Sequence, residues 1–301
     1  MKRTLLFLLT NLAAVAMLSI VAALVCAFCG IDLARELGEG GYESLFVFAF
    51  IFGMAGSVLS LFLSKPMVKL TMRCKTIDGS EGEAERWLVT TVEDLARRAN
   101  VKTPEVAIYP GEANAFATGA FKNHALVAVS TRILEQMSRE ELRAVLGHEM
   151  SHVANGDMVT MCLTQGVINT FVIFFSHILA YFVQNALSNG KERRRGGGSY
   201  MMYHLLTSVF QMLFGILASL VLFWYSRKRE YAADEGSANL LGSPAPMIAA
   251  LRRLGNLQPG VLPDSIKAFG IAGGKTSLFA THPSLEDRIQ ALMNLKPSYA
   301  V

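Results

Sequence analysis

Ser138-Arg139-Glu140-Glu141-Leu142-Arg143-Ala144-Val145-Leu146-Gly147-His148-Glu149-Met150-Ser151-His152-Val153-Ala154-Asn155-Gly156 reads as a single helix with both ends marked. Ser138 is a preferred N-cap, and Glu141 three residues on completes a capping box. Gly156 supplies the stop, because glycine enters the left-handed conformation without a Cβ penalty. Leu142, Val145 and Leu146 recur at helical spacing and can anchor the helix in a core. His148 and His152 are four apart, so on this helix they leave one face a turn apart. Both imidazoles can then ligate a tetrahedral zinc. Glu149, beside the first, reaches the water that such a metal activates, where it can take a proton and hand it to a leaving amine. A chance H-E-x-x-H on a structural helix is the plain alternative, since five-residue motifs do arise by accident. The caps and the apolar anchor weigh for the catalytic reading.

A catalytic zinc takes three protein ligands and an open position, so a third ligand has to come from elsewhere in the chain. Downstream, Arg227-Lys228-Arg229-Glu230-Tyr231-Ala232-Ala233-Asp234 places two carboxylates four residues apart on one helix face. Glu230 can serve as the third ligand while Asp234 fixes a ligand imidazole. On spacing alone the pair reads equally well as solvated acids balancing Arg227, Lys228 and Arg229 at the end of an apolar helix.

Upstream, Glu81 to Asn100 has the apolar periodicity of a helix through Trp87, Leu88, Val92 and Leu95, ended by Asn100 and the following Pro104. Glu105 to Tyr109 and Ala125 to Ser130 read as short strands of a small sheet, bracketing Asn114-Ala115-Phe116-Ala117-Thr118-Gly119.

Beyond these blocks the chain is apolar. Of its 301 residues 52% are hydrophobic and only 17% charged, with a mean hydropathy of +0.36. That balance excludes a disordered or purely solvated protein and points to segments dissolved in lipid. Thr4 to Ile31 carries no Lys, Arg, Asp or Glu and follows Lys2 and Arg3. It is long enough to span a bilayer and longer than the core of a cleavable signal, so it reads as a retained anchor. Ser44 to Ser64, closed by Lys65 and Pro66, is a second span. Asp32, Glu36, Glu39 and Glu43 lie between the two with only Arg35, whereas Lys65, Lys69, Arg73 and Lys75 follow with no acid among them. The positive-inside rule therefore sets the acidic loop outside and the domain beginning near Lys65 in the cytoplasm.

Two later uncharged runs, Met158 to Gly190 and Gly196 to Ser226, flank Lys191-Glu192-Arg193-Arg194-Arg195. They read either as two spans or as a membrane-embedded hairpin. His148 and Glu230 can share one metal only if zero or two spans separate them, and both alternatives satisfy that parity. The expected organisation is thus a transmembrane hairpin over 1–64, the first part of a cytoplasmic domain over 65–157, an apolar helical hairpin over 158–226 and the second part of the domain over 227–301.

Cys26, Cys29, Cys74 and Cys162 sit mostly within apolar stretches and form no disulfide framework. The net charge of +4 is small and scattered, which argues against nucleic acid. Gly273-Gly274-Lys275-Thr276 looks like the end of a phosphate-binding loop, but that pattern needs glycine where Phe269 stands, so no nucleotide is expected. Gly270 to Ser277 reads instead as a flexible loop near the cleft. His124, His177 and His204 match no motif and read as structural or loop residues.

Taken in order, the amino-terminal hairpin, the Asn114 to Gly119 segment, His148 to His152, Glu230 to Asp234 and Thr281-His282-Pro283-Ser284 resemble the HtpX family of bacterial inner-membrane zinc proteases, relatives of the CAAX prenyl endopeptidases. The resemblance covers nearly the whole chain and implies an α+β, predominantly helical integral membrane protein with a gluzincin-like zinc protease domain carrying a small β-sheet. It implies one Zn2+ per chain held by His148, His152 and Glu230, with Glu149 as base and Asp234 orienting a ligand. It further implies an edge strand at Asn114, Ala115, Phe116 and Ala117 that takes substrate as an added strand, and a role for His282 at the oxyanion. Without the resemblance, His282 beside Pro283 reads as a turn residue.

The expected enzyme is a multi-pass protein of the bacterial inner membrane with its site facing the cytoplasm, degrading misfolded or damaged membrane proteins in a stress response. Lipid bilayer and other membrane quality-control proteases are its expected partners. A specific processing protease of the CAAX type and a non-catalytic zinc-binding membrane adaptor are the rival readings. A transporter is weaker still, because the two amino-terminal spans lack ionisable residues.

Overall fold

The computed structural model describes residues 41–187, 197–257 and 282–295. The first expected span, Cys26 and Cys29, Lys191 to Arg195, the loop Gly270 to Ser277 and Thr281 lie outside the described residues. Those that are described order themselves as α1 (Gly41–Thr71), β1 (Lys75–Ile77), α2 (Glu83–Arg98), β2 (Glu105–Tyr109), β3 (Ala115–Thr118), β4 (Leu126–Ser130), α3 (Thr131–Gln136), α4 (Arg139–Asn155), α5 (Asp157–Leu187), α6 (Gly197–Leu241), α7 (Ala245–Gly255) and α8 (Leu285–Met293). The chain is mainly helical with one small sheet, an α+β arrangement.

Among the described residues three helices have the length and apolar composition to cross a membrane: α1 from Glu43, α5, and α6 from Tyr200. By their contacts the residues fall into two units, one holding residues within 41–59 and 162–222, the other those within 60–161 and from 223 onward. In the first unit Ile168, Val172, Phe175, Ile178 and Phe182 of α5 pack with Phe214, Ala218 and Leu222 of α6. Gly53 of α1 lets the backbone of α5 approach, since a Cβ there would lie 2.5 Å from the Thr170 nitrogen. Polar groups on these helices find partners within the unit: Gln165 donates to Asn169 at 2.7 Å, and Cys162 to the Ser57 carbonyl at 3.1 Å. Phe48, Ile51, Phe52, Met212 and Leu213 point outward and are exposed.

In the second unit the sheet runs β1-β2-β4-β3. β2 and β4 are parallel, Glu105 opposite Leu126, while β1 and β3 pair antiparallel to them, Ala115 opposite Val129. One face carries Ala107, Tyr109, Phe116, Leu126 and Ala128 and packs on Val68 of α1. The other, through Ala115, Ala117, Val127 and Val129, joins a core built with Leu88, Val92 and Leu95 of α2, Val145, Leu146 and Met150 of α4, and Met247 and Leu251 of α7. Among the described residues β3 is an edge strand.

The capping box on α4 is present. Ser138 Oγ accepts from the Glu141 amide at 3.3 Å, and Glu141 Oε2 accepts from the Ser138 amide at 2.8 Å. Gly156 closes the helix at φ 68°, ψ 34°. Ser138→Ala is expected to lower stability by about 1 kcal/mol, read as a lower thermal midpoint, with the cleavage rate per folded molecule unchanged.

One helix is shorter than its sequence pattern, and two others run on past the uncharged segments they contain. The helix expected over Glu81 to Asn100 spans Glu83–Arg98, and Asn100 takes a left-handed φ of 53° just past its end. α1 does not stop at Ser64 but carries Pro66 inside it and continues to Thr71. The run ending at Ser226 passes without a break into Arg227 to Asp234, because those residues are good helix formers and the change from apolar to charged composition is not a change of conformation.

Candidate functional site

The close approach of α4 and α6 comes from small residues. A Cβ on Gly147 would meet Ser237 Oγ at 2.8 Å, and one on Gly236 would meet Ser151 Oγ at 2.3 Å. Ser237 donates its hydroxyl to the Ala144 carbonyl at 2.7 Å, fixing the register of the two helices. With that register His148 and His152 on α4 face Glu230 on α6, all three buried.

The Nε2 atoms of the two histidines are 3.1 Å apart. His152 Nε2 is 3.3 Å from Glu230 Oε1, and His148 Nε2 is 3.6 Å from Glu230 Oε2. Ligand atoms around a tetrahedral ion with bonds of about 2.1 Å lie about 3.4 Å apart, so three donors converge at the separations one small divalent ion demands. Among the described residues they are also the group of His, Cys, Asp and Glu side chains that meets the geometry of a metal site.

Each imidazole is oriented from behind by a carboxylate. Asp234 Oδ1 lies 2.8 Å from His148 Nδ1, and Asp157 Oδ2 lies 2.6 Å from His152 Nδ1. A carboxylate there holds the proton on Nδ1 and leaves the Nε2 lone pair for the metal. Both carboxylates are in turn held by arginine. Arg288 forks onto Asp234, Nε to Oδ2 at 2.8 Å and Nη2 to Oδ1 at 2.6 Å, and its Nη1 reaches Glu230 Oε2 at 3.2 Å. Arg229 Nε is 3.2 Å from Asp157 Oδ1. Arg288 has no exposed surface at all. Burial alone would pull its guanidinium down, but the Asp234 carboxylate outweighs that and holds it charged.

Glu149 points into the same space with neither oxygen in an acceptable hydrogen bond. Burial pushes its carboxyl up to about 8; His152 pulls against that, Glu230 adds to it, and the Ala117 backbone amide of β3 opposes it.

His282 enters the site as well, buried, with Nδ1 3.0 Å from Glu230 Oε2. Ala115, Phe116 and Ala117 form β3, packed along α4 at the sheet edge. Asn114 stands at its start: its amide donates to Ser130 Oγ at 3.0 Å, and its side-chain oxygen accepts from the Ala115 amide at 2.9 Å. Every site residue read from the sequence therefore lies in this one region of the second unit. Three others were not read: Asp157, Arg229 and Arg288. Asp157 carried a local signal, being an acid directly after the glycine that ends the H-E-x-x-H helix. Arg288 carried none, because Leu285-Glu286-Asp287-Arg288 looks like an ordinary solvated helix start. His124 lies in a short 3-10 turn, and His177 lies against Tyr203 at 2.6 Å in the first unit, away from the site.

The family model described as peptidase family M48 matches residues 83–296. The chain is 48% identical over 300 residues to a protein named Protease HtpX homolog from Janthinobacterium sp. (strain Marseille), covering 98% of this chain and 100% of that one. It is 50% identical over 294 residues to another of that name from Verminephrobacter eiseniae (strain EF01-2), covering 98% and 99%. A crystal structure of S. mikatae Ste24p shares its fold with a TM-score of 0.54 at 16% identity, over 95% of this chain and 66% of Ste24p.

Proposed function

The chain belongs to peptidase family M48 and is a membrane metalloprotease of the HtpX type, and from that premise we propose that it is a zinc endopeptidase cleaving unfolded or damaged membrane proteins at the cytoplasmic side of a bacterial inner membrane. The observation that carries this reading is the convergence of two imidazoles and a carboxylate, with the Glu149 carboxyl buried beside them. In it His148, His152 and Glu230 hold one zinc per chain. When bound, that ion supplies Lewis acidity toward the scissile carbonyl and toward water.

The chain's own residues do the rest. Glu149 takes the proton of the attacking water and passes it to the leaving nitrogen. Asp234 and Asp157 keep the ligand imidazoles in one tautomer, and Arg288 and Arg229 keep those carboxylates charged and aimed. β3 pairs with the substrate backbone as an added strand, which selects extended, unfolded chain over any particular side chain. His282 donates to the developing oxyanion. The basic residues following the second expected span, Lys65, Lys69, Arg73 and Lys75, support the cytoplasmic orientation.

Protein purified in detergent with a chelator and then titrated with zinc is expected to regain cleavage of an unfolded soluble chain in proportion to zinc bound, up to one per chain. Stoichiometric zinc without cleavage of that chain or of a membrane-anchored one would favour a metal-binding adaptor. Preference for a prenylated carboxy-terminal peptide would favour a processing protease. Asp157→Asn is expected to weaken zinc binding by roughly 10- to 100-fold, measured by competition with a chromogenic chelator, because His152 loses the group that fixes its ring.

A further inference from the structure

The last two turns of α1 are built the wrong way round for a helix standing in water. Lys65 and Lys69 turn toward the domain, where their ammonium groups meet the two oxygens of Glu105 at 2.7 and 2.5 Å, and Val68 between them is buried against the sheet. The opposite side carries Leu63, Met67 and Leu70, spaced to share a face and 44%, 47% and 78% exposed. On the flank between that stripe and the lysines, Phe62, also exposed, packs edge-on against Phe121 with ring centres 5.8 Å apart, and Phe121 is itself 56% exposed. Phe121 lies in the loop between β3 and β4, three residues past the end of β3. Lys122 pins that loop by donating to the Ala154 carbonyl at 2.7 Å, in the last turn of α4. Isolated exposed apolar side chains need no explanation, but an apolar stripe with the lysines of the same helix on its other side does.

Helix length indicates what covers this face. The 31 residues of α1 rise about 46 Å, against roughly 30 Å of hydrocarbon and about 40 to 45 Å of bilayer with its headgroups. The uncharged run from Ser44 to Leu61 accounts for most of the hydrocarbon, which leaves the turns from Phe62 onward at headgroup level. In the sequence, Phe52 and Leu59 of the apolar span fall at the same helical phase as Leu63, Met67 and Leu70. No charge lies on the stripe to suit a polar partner.

We propose that Leu63, Met67 and Leu70 of α1, with Phe62 and Phe121, rest in the interfacial layer of the bilayer. The β3–β4 loop is then seated on lipid, and the strand that receives substrate ends at the membrane surface. This rests on the reading of α1 as a span and adds to it a point where the protease domain itself touches lipid. A chain pulled or fallen from the membrane would meet β3 as it leaves the headgroups.

The test uses the full chain reconstituted in phosphatidylcholine vesicles, plain or brominated at the shallow end of the acyl chains. Three single-tryptophan forms are compared: Phe121→Trp with Trp87→Phe and Trp224→Phe, a form keeping only Trp87, and a form keeping only Trp224. Trp87 lies under the Arg139 guanidinium on the domain, and Trp224 lies on the apolar α6, so they report water and membrane. The proposal expects the emission of Trp at 121 to be lost in brominated vesicles, with that of Trp87 retained. Retention at 121 with loss at Trp224 would overturn the proposal and leave the membrane reading standing. Retention at both would take both readings down. Shielding at 121 that follows the protein-to-lipid ratio, without bromine quenching, would assign the face to a second copy and equally overturn the proposal. Leu70→Trp in the same background repeats the test if the first variant does not fold.

Discussion

Glutamine in place of Glu149 is expected to leave the metal content unchanged and to slow cleavage of an unfolded chain by roughly 10²- to 10⁴-fold, about 3 to 5 kcal/mol of barrier. Glutamine has nearly the shape of glutamate, so the packing against β3 survives, but its amide cannot accept a proton at neutral pH. The effect should fall on kcat more than on KM, because a proton acceptor acts in the transition state and not in binding. Single-turnover cleavage beside metal analysis of the same samples separates the two. A variant that retains metal and turns over at the normal rate would remove Glu149 from the mechanism.

The second large effect is expected at Arg288. Removing it as Arg288→Ala leaves Asp234 and Glu230 buried without the cation that compensates them, and breaking a buried pair from one side costs about 3 to 5 kcal/mol. That corresponds to a fall in the thermal midpoint of roughly 10 °C or more for a domain of this size. Zinc affinity should fall with it, since Asp234 is no longer held toward His148. Arg288→Lys keeps the charge but not the two-toothed fork onto Asp234, so it should recover only part of both losses. An Arg288→Ala protein with an unchanged midpoint and unchanged zinc affinity would show that the buried guanidinium does neither job.

What could be read in the sequence was whatever a single helix carries within itself. The H-E-x-x-H helix announced its start, its stop and the shared face of its two histidines, because capping and i,i+4 spacing are local properties. Glu230 and Asp234 were legible as a pair for the same reason, although spacing by itself left them open to a solvated reading. Their meaning depends on Gly147, Ser151, Gly236 and Ser237 letting α4 and α6 touch, and nothing in one stretch of sequence states which small residues will meet. Arg288 was invisible on the same ground: it lies 54 residues beyond the aspartate it holds.

The uncharged run ends at Ser64 while the helix that contains it goes on to Thr71, because lysine is a good helix former. Lys65 and Lys69 are charged, yet they face the domain and leave the helix apolar on its outer side. In the same way the uncharged run ends at Ser226 while its helix continues to Leu241, since a change of solvent along a helix need not interrupt it. β1, three residues long, has no periodicity of its own and is a strand only because β2 lies beside it.

The central claim is that His148, His152 and Glu230 hold one ion around which the peptide bond is cut. Zinc-edge X-ray absorption on the full protein, wild type beside Glu230→Gln and a His148→Ala, His152→Ala double variant, tests it most directly. The account predicts one zinc per chain with two imidazole ligands and an oxygen donor in the wild type, weakened binding in Glu230→Gln and no stoichiometric zinc in the double variant. A full complement of zinc with the wild-type spectrum in the double variant would contradict it.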